Sequence, residues 1–92
     1  MEISKMLTLS TAHITKETAE ALDNEVFAGC PYLVVYQKDD YGWFVYLPSK
    51  IEKIDIPHDL KKCMLFAKDL GCDWLCLDAN GEVLKYLHIY NW

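Results

Sequence analysis

Five segments of the chain have patterns typical of β-strands: apolar and polar residues alternate in some, and β-branched and aromatic residues form short runs in others. The segments are residues 7–11, 32–38, 43–47, 72–78 and 82–92. Turn-forming residues at 39–42 and 78–81 separate two pairs of these segments. Gly42 and Gly81 lie where such a turn accepts a positive φ. We therefore predict two β-hairpins.

A helical stripe follows the first strand. Ala19, Leu22 and Val26 recur at the spacing that places side chains on one face of an α-helix. Thr15 is a good N-cap, and Gly29 is a typical residue for the end of a helix. We expect a helix between these two positions.

The second helical stripe is stronger than the first. It begins after Pro57 and ends before Gly71, both of which suit helix boundaries. The residues of its apolar face are Leu60, Cys63, Met64, Ala67 and Leu70. Leu65 falls on the opposite side of this helix, so we expect it to be exposed.

These elements predict an α+β fold: one two-layer domain over residues 1–92, in the order β-α-β-β-α-β-β. The sheet is expected to be mostly antiparallel, with both helices on one face. With a three-residue loop in the second hairpin, the side chains of the last two strands fall into two sets, one on each face of the sheet. The face toward the helices carries Leu75, Leu77, Val83, Leu87 and Ile89. The uncovered face carries Trp74, Cys76, Leu84, Tyr86, His88, Tyr90 and Trp92.

The charge of the chain limits its classes of partner. Nine basic and fourteen acidic side chains give a net charge of −5, and there is no arginine. Nucleic-acid binding needs cations that face phosphates, and arginine is the commonest reader of phosphate and guanine. We therefore predict no nucleic-acid partner. An acidic domain of this kind suits a basic protein partner, or its charge serves only solubility.

The apolar stretches of the chain are short. None approaches the ~18 residues of a membrane span, and residues 1–5 lack the extended apolar region of a signal peptide. We expect no membrane partner and a cytoplasmic location. In that compartment the four cysteines are expected to be buried thiols rather than disulfides.

The cysteines do not form a recognisable metal site. Cys72 and Cys76 lie in one predicted strand, where residues four apart are separated by about 13 Å. Cys63 belongs to the buried stripe of the second helix. Cys72 and Cys76 are therefore too far apart to ligate one ion together, and Cys63 is expected in the core. No phosphate-binding or dinucleotide-binding glycine motif occurs, so we predict no metal and no cofactor.

No catalytic signature is visible either. No cysteine clearly opens a helix or lies among basic residues, the settings that activate a thiol. The remaining enzymatic hypothesis is a small enzyme that uses His13 with Cys72 or Asp73. It requires these side chains to converge within about 3.5 Å around a cleft.

Twelve aromatic residues are many for a chain of 92. Either they fill the core of a thin domain and pair across strands, or several form an exposed surface for a partner. In the second case the surface consists of Trp74, Tyr86, His88, Tyr90, Trp92 and Leu65. Our leading hypothesis is a non-enzymatic protein that binds another protein in this way. The alternative is a homodimer in which the last strand pairs across a two-fold axis.

Three short strings carry a resemblance to a known family: residues 9–13 (LSTAH), 41–45 (YGWFV) and 71–74 (GCDW). The chain resembles an uncharacterised family of short bacterial, plasmid and phage proteins. Residues 9–13 are also similar to the N-terminus of a type I-F anti-CRISPR protein. The family resemblance implies no enzymatic activity. It implies a mobile-element setting, in which small acidic proteins often inhibit host defence complexes.

Five residues of these strings also have a structural interpretation. Ser10 and Thr11 can satisfy backbone groups where the first strand meets the first helix, and His13 can hydrogen-bond across that corner. Asp73 and Trp74 follow the end of the second helix, where Trp74 is a packing anchor.

Overall fold

The structure is a computed structural model that describes residues 2–30, 32–39 and 42–92. Within these residues the chain forms β1 (Met6–Ser10), α1 (Lys16–Asp23), β2 (Val35–Lys38), β3 (Gly42–Tyr46), α2 (His58–Asp69) and β4 (Trp74–Asp78). Short 3-10 helices at Thr11–His13 and Ile51–Lys53 follow β1 and precede α2. The predicted α+β fold class is confirmed, and the order of the elements up to β4 is as predicted.

The strands form one mixed sheet in the order β1-β4-β3-β2. β1 and β4 are parallel, whereas β3 is antiparallel to both of its neighbours. The first predicted hairpin is confirmed as β2–β3. Residues 40 and 41 of its predicted turn lie outside the described residues. β4 is a central strand, with a neighbour along each edge.

One face of the sheet packs against both helices. Leu9, Leu75 and Leu77 are fully enclosed on this face. They belong to the same hydrophobic cluster as Leu22 of α1 and Met64 of α2. The prediction that residues 75 and 77 face the helices is therefore confirmed. Because side chains alternate along a strand, residues 74 and 76 of β4 lie on the opposite face.

α1 begins where the sequence predicts but ends earlier. Thr15 is its N-cap, and the Thr15 hydroxyl accepts a hydrogen bond from a backbone N–H of the first turn. The helix ends at Asp23 instead of continuing toward Gly29. Glu25 has a left-handed φ of 54°, which a right-handed helix does not accommodate. Val26 lies beyond the helix and is exposed, so its predicted place on one helical stripe with Ala19 and Leu22 is wrong.

α2 matches its predicted bounds more closely. Pro57 precedes it, and Gly71 follows it with a φ of +82°, as expected at a helix end. Leu70 lies just beyond the helix and is exposed. Leu65 was expected to be exposed but is half-buried against the core, because an apolar side chain beside a core gains from packing on its rim. The buried residues of the predicted stripe are Leu60, Cys63, Met64 and Ala67.

The prediction of a last strand over residues 82–92 is wrong. Glu82 forms a single parallel bridge with Leu9, and the described residues after it form no strand. A hairpin partner for β4 needs a free edge of that strand, but β1 and β3 occupy both edges. The chain instead passes beside β1, where the Ser10 N–H donates to the Glu82 carbonyl oxygen at 2.9 Å.

The positive φ predicted for Gly42 and Gly81 is also wrong, since neither residue is among the glycines with left-handed backbone. Close packing accounts for both residues. A Cβ at Gly42 would overlap the carbonyl oxygen of Leu77, and a Cβ at Gly81 would lie 2.5 Å from that of Leu9. The two glycines let the backbone approach a neighbouring strand.

Candidate protein-interaction surface

The sheet face opposite the helices carries aromatic side chains. Tyr36 on β2, Phe44 and Tyr46 on β3, Trp74 on β4 and Met6 on β1 occupy adjacent positions on this face. We call these five residues the aromatic surface. It arises because the alternation that buries aliphatic residues on one face of each strand leaves large rings on the other.

Trp74 is at the centre of the aromatic surface. Its ring centroid lies 5.4 Å from that of Tyr46, with an interplanar angle of 71°, and 6.1 Å from that of Tyr36. Edge-to-face and tilted pairs at such distances are favourable because the positive edge of one ring meets the negative face of the other. The three rings therefore support one another from adjacent strands.

Much of the aromatic surface is open to solvent. Tyr36 is 59% exposed, Met6 46% and Tyr46 42%, whereas Phe44 and Trp74 are half-buried. Neighbouring large apolar side chains that remain exposed are typical of protein-binding surfaces, where tyrosine, tryptophan and methionine are enriched.

An ion pair borders the aromatic surface. Lys38 of β2 and Asp78 of β4 lie in register on either side of Gly42. The Lys38 Nζ donates to the Asp78 Oδ2 across this position. That hydrogen bond, together with one from the Asn80 N–H, lowers the pKa of Asp78, and the contact with Asp78 raises the pKa of Lys38. This edge of the surface is polar, and the two charges offset each other.

Cys76 lies on the same face, in register with Phe44. It is only 2% exposed, and burial raises the pKa of its thiol. The thiol is therefore protonated at neutral pH and is not an activated nucleophile. This face offers contact area rather than a reactive sulfur.

The two edges of the sheet differ in what lies beside them. Glu82 lies against β1, whereas no described strand lies beyond β2. The Val34 carbonyl oxygen accepts the Tyr46 N–H at 3.0 Å. Bonding alternates along an antiparallel ladder, so the peptide groups of Val35 and Gln37 are directed away from β3.

A groove of about 310 Å³ adjoins β2 on the helix side of the sheet. Its apolar lining includes Leu22, Phe27, Leu33, Val35 and Trp43. Trp43 also lines a second groove with residues of α1. The Nε1–H of Trp43 is buried, and none of the described residues accepts a hydrogen bond from it.

Most of the charged residues that line the two grooves are acidic. Glu25 lines the first groove, and Glu20 and Asp23 line the second together with one cation, Lys16. All four side chains are exposed. The surroundings of Trp43 therefore have a negative potential that attracts basic groups.

Most of the predicted partner residues lie away from the aromatic surface. Of that set, Trp74 alone belongs to it, and Leu65 lies on α2. The others belong to residues 82–92, which lie against residues 10–14 at the C-terminal end of β1. They are Tyr86, His88, Tyr90 and Trp92. Because this segment is not a strand, the single face on which they were expected does not exist.

Hydrogen bonds hold the C-terminal residues on residues 10–14. The Tyr90 N–H donates to the Ala12 carbonyl oxygen at 2.8 Å, and the Trp92 Nε1–H donates to the Ile14 carbonyl oxygen at 2.9 Å. The rings of His88 and Tyr90 lie 4.4 Å apart. Tyr86 is at a turn and is 77% exposed.

His13 is the centre of this contact and is almost fully buried, at 2% exposed. The Leu84 N–H donates to His13 Nε2 at 2.9 Å, and His13 Nδ1 lies 2.9 Å from the His88 carbonyl oxygen. A backbone N–H can only donate, so Nε2 is unprotonated and Nδ1 carries the proton. Both ring nitrogens are therefore engaged in holding the C-terminal segment.

The residues of the enzymatic hypothesis do not converge. His13 follows the end of β1, whereas Cys72 and Asp73 precede β4, which is parallel to β1. The length of the strands, about 13 Å, separates these two ends. The Asp73 carboxylate instead accepts the Lys5 N–H at 3.0 Å and fixes the start of β1.

Four residues of the aromatic surface are absent from the predicted set: Met6, Phe44 and the two tyrosines, Tyr36 and Tyr46. Both tyrosines belong to the first hairpin, and their place beside Trp74 depends on the pairing of β3 with β4. Only a prediction of the strand order could have placed them there. The sequence did contain one signal: in the alternation of side chains along their own strands, Tyr36 and Trp74 each fall on the face opposite the buried residues.

The part of the chain that the structure describes contains neither a cluster of metal ligands nor a membrane-spanning helix. No group of three or more His, Cys, Asp or Glu residues there could hold a metal ion. No helix there is long and apolar enough to cross a bilayer.

A family model described as the C-terminal domain of a family of unknown function, DUF5983, matches residues 6–92. This range includes every described helix and strand. No curated protein and no solved structure matches the chain.

Proposed function

The chain belongs to the DUF5983 family of unknown function, and we propose that it is a non-enzymatic domain that binds another protein through the aromatic surface. The main support is the exposure of Tyr36, Tyr46 and Met6 around the half-buried ring of Trp74. They lie on a sheet face that neither helix covers.

Burial of the aromatic surface by a partner is energetically favourable. Covering apolar area contributes about 25 cal/mol per Å², and tyrosine and tryptophan provide large areas at a small cost in conformational entropy. The contacts of Tyr36 and Tyr46 with Trp74 restrict these rings before any partner binds. Such pre-organisation reduces the entropic cost of association.

Charge supports a basic protein as the partner. The chain carries a net charge of −5, and the acidic residues Glu20, Asp23 and Glu25 line grooves near one edge of the sheet. This potential attracts a positively charged protein and increases the rate of encounter. It repels the phosphates of nucleic acid, which we therefore exclude from the proposal.

A phage or mobile-element protein that inhibits a host defence protein is one instance of this class. The resemblance carried by residues 9–13 and 71–74 supports this instance, as does the acidic charge. The proposal includes a cytoplasmic location, in keeping with the free buried thiols of Cys63, Cys72 and Cys76.

A pair of tyrosine variants tests the proposed function. The tagged chain is used to capture its partner from a bacterial lysate, the partner is identified and purified, and the dissociation constant is measured by calorimetry. Tyr36→Ala removes a ring of the aromatic surface, so we expect binding to weaken at least ~10-fold. Tyr86→Ala is the matched control, because it removes an exposed tyrosine from the C-terminal segment.

Capture alone does not support the proposal, which depends on the contrast between the two variants. Both variants should keep the melting temperature of the unmodified chain, since both rings are mostly exposed. Binding that weakens with Tyr86→Ala but not with Tyr36→Ala would assign the interaction to the C-terminal segment and overturn the proposal.

A further inference from the structure

We propose that β2 receives an extended, basic segment of the partner protein as an additional strand. Side chains on one face of this segment then enter the groove beside Trp43, and those on its other face contact the aromatic surface. This inference rests on the proposed function, because it specifies how the partner of the aromatic surface is held.

The backbone of β2 has unused hydrogen-bonding groups. The N–H and C=O groups of Val35 and Gln37 point away from β3, as the bond between Tyr46 and Val34 requires. Among the described residues these outward groups have no hydrogen-bond partner. An extended peptide beside β2 would satisfy them in the way that strand addition does in other recognition domains.

Two of the usual obstacles to strand addition are absent from β2: it contains no proline, and its lysine does not stand along the edge. Lysine on an edge strand normally discourages pairing, but Lys38 is drawn onto the sheet face by Asp78. The β1 edge, in contrast, has Glu82 beside it, bonded to Ser10. The structure therefore protects one edge and leaves the other available.

The surroundings of β2 suit the two faces of an added strand. Side chains alternate along a strand, so those of one set point to the helix side and those of the other to the aromatic surface. On the helix side lies the 310 Å³ groove with Leu22, Phe27 and Leu33 in its lining. On the opposite side lies Tyr36, 59% exposed. One set of side chains of the added strand would therefore pack in the groove, and the other set would pack against Tyr36.

Trp43 provides an independent indication of an occupant. It is 6% exposed and lines the groove, yet its Nε1–H has no partner among the described residues. Buried polar groups are nearly always hydrogen-bonded, so an orphan of this kind calls for an explanation. A small rotation of the Trp43 ring on binding would present this N–H to a carbonyl or hydroxyl oxygen of the added segment in the groove.

Charge decides the chemistry of the segment. The exposed carboxylates of Glu20, Asp23 and Glu25 line the two grooves that share Trp43, and Asp39 is exposed directly after β2. Lysine or arginine among the side chains of an added strand that point to the helix side would meet the carboxylates of the two grooves, and one near the end of β2 would meet Asp39. A second copy of this acidic chain would bring like charges together, which opposes β2–β2 pairing.

Phage-displayed random twelve-residue peptides selected on the chain provide a probe of this edge. We expect selection of peptides in which apolar residues alternate and lysine or arginine recurs. The affinity of the best synthetic peptide is then compared between Gln37→Pro and Gln37→Thr. Proline removes the outward N–H and is tolerated on edge strands. Threonine changes the side chain but keeps the N–H. We expect binding to weaken at least ~10-fold with proline and less than ~3-fold with threonine.

Hydrogen exchange on the unmodified chain gives a second measurement, independent of whether Gln37→Pro folds. The amides of Val35 and Gln37 should exchange more slowly when the peptide is bound. Failure to select any peptide, unchanged exchange of these amides, or equal binding by a folded Gln37→Pro variant each overturns strand addition. Light scattering that shows a dimer, broken by Gln37→Pro, overturns it in favour of a second copy as occupant.

The two proposals fail separately. If Tyr36→Ala weakens binding of the purified partner and Gln37→Pro does not, strand addition is wrong and the aromatic surface remains the binding site. If Gln37→Pro weakens binding and Tyr36→Ala does not, the edge of β2 is the site and the proposed function of the aromatic surface is wrong.

Discussion

Gly42 shows how one missing side chain arranges its neighbours. It stands between Lys38 and Asp78 in the register of three strands. A Cβ there would overlap the Leu77 carbonyl oxygen, so any other residue would push β3 away from β4. The same absence leaves room for Lys38 to reach Asp78 across β3. A single glycine thus serves both the strand packing and the ion pair that borders the aromatic surface.

The ion pair predicts a specific dependence of stability on pH. The pKa of Asp78 is lowered in the fold, so its stabilisation is complete above the ordinary value of 3.8 and is lost as pH falls through the folded value. The pKa of Lys38 is raised, so its stabilisation is present below 10.5 and is lost as pH rises through the folded value. Between these limits the pair contributes in full.

Urea unfolding at a series of pH values measures this contribution. We expect the free energy of unfolding of Asp78→Asn to fall less than that of the unmodified chain as the solution is acidified below the ordinary carboxyl pKa. Asp55→Asn, at an exposed position, should follow the unmodified chain. Parallel curves for Asp78→Asn and the unmodified chain would contradict a native ion pair.

Local residue chemistry was predictable where its cause is local. Thr15 caps α1 and Gly71 ends α2 as expected, because capping depends on a few neighbouring residues. Gly42 and Gly81 were identified as special for the wrong reason. Each of these positions requires a glycine because the backbone of a strand distant in sequence lies too close for a Cβ. The local pattern of residues does not show which distant strand will lie there.

At the scale of elements, the structure differs most clearly from the sequence pattern in residues 82–92. Their alternating apolar and aromatic residues suit a strand, but a strand also needs an edge to pair with. β4 has none, because β1 and β3 occupy both sides. The segment instead satisfies its backbone against residues 10–14, largely through His13. The predicted surface was mainly on residues 86–92, whereas the aromatic surface lies mainly on the first hairpin. Trp74 is the residue that the two sets share.

His13→Phe tests whether this contact stabilises the fold. The ring volume is roughly kept, but the Leu84 N–H and the His88 carbonyl oxygen each lose a partner. An unsatisfied buried group costs about 1–3 kcal/mol, but both hydrogen bonds are only partly buried, so we expect the free energy of unfolding to fall by about 1–3 kcal/mol in total. The measurement is urea unfolding followed by circular dichroism.

Two comparisons sharpen this test. His58→Phe, at an exposed position in the first turn of α2, should change stability by less than about 0.5 kcal/mol. Exchange of the Leu84 amide should accelerate in His13→Phe more than exchange of amides in the centre of β4. Equal stability of the two histidine variants would show that the C-terminal segment does not depend on His13.

The whole molecule has one enclosed side and one open side. The helix side contains the hydrophobic cluster, and the C-terminal segment is bonded to residues near it. The opposite side is a single sheet face with the aromatic surface as its outer layer. The proposed function requires this outer layer to be as fixed as the core beneath it, because pre-organisation of the rings lowers the cost of binding.

Two buried thiols on opposite sides of the sheet test this requirement. Cys63 of α2 lies in the helix layer at 1% exposed, and Cys76 of β4 lies on the aromatic side at 2% exposed. Burial, together with the nearby charge of Asp59, raises the pKa of the Cys63 thiol to about 12, and burial also raises the pKa of Cys76. We therefore expect neither thiol to react appreciably while the chain is folded.

If the molecule opens as one cooperative unit, iodoacetamide reaches both thiols only through global unfolding. We expect mass spectrometry to find the two sites labelled at rates within about threefold of each other. Both rates should rise by the same factor in His13→Phe, and both sites should react fully in urea. Labelling of Cys76 well ahead of Cys63 would mean that the aromatic side opens by itself. The rings around Trp74 would then not be held in place before binding, and their pre-organisation would not lower the cost of association.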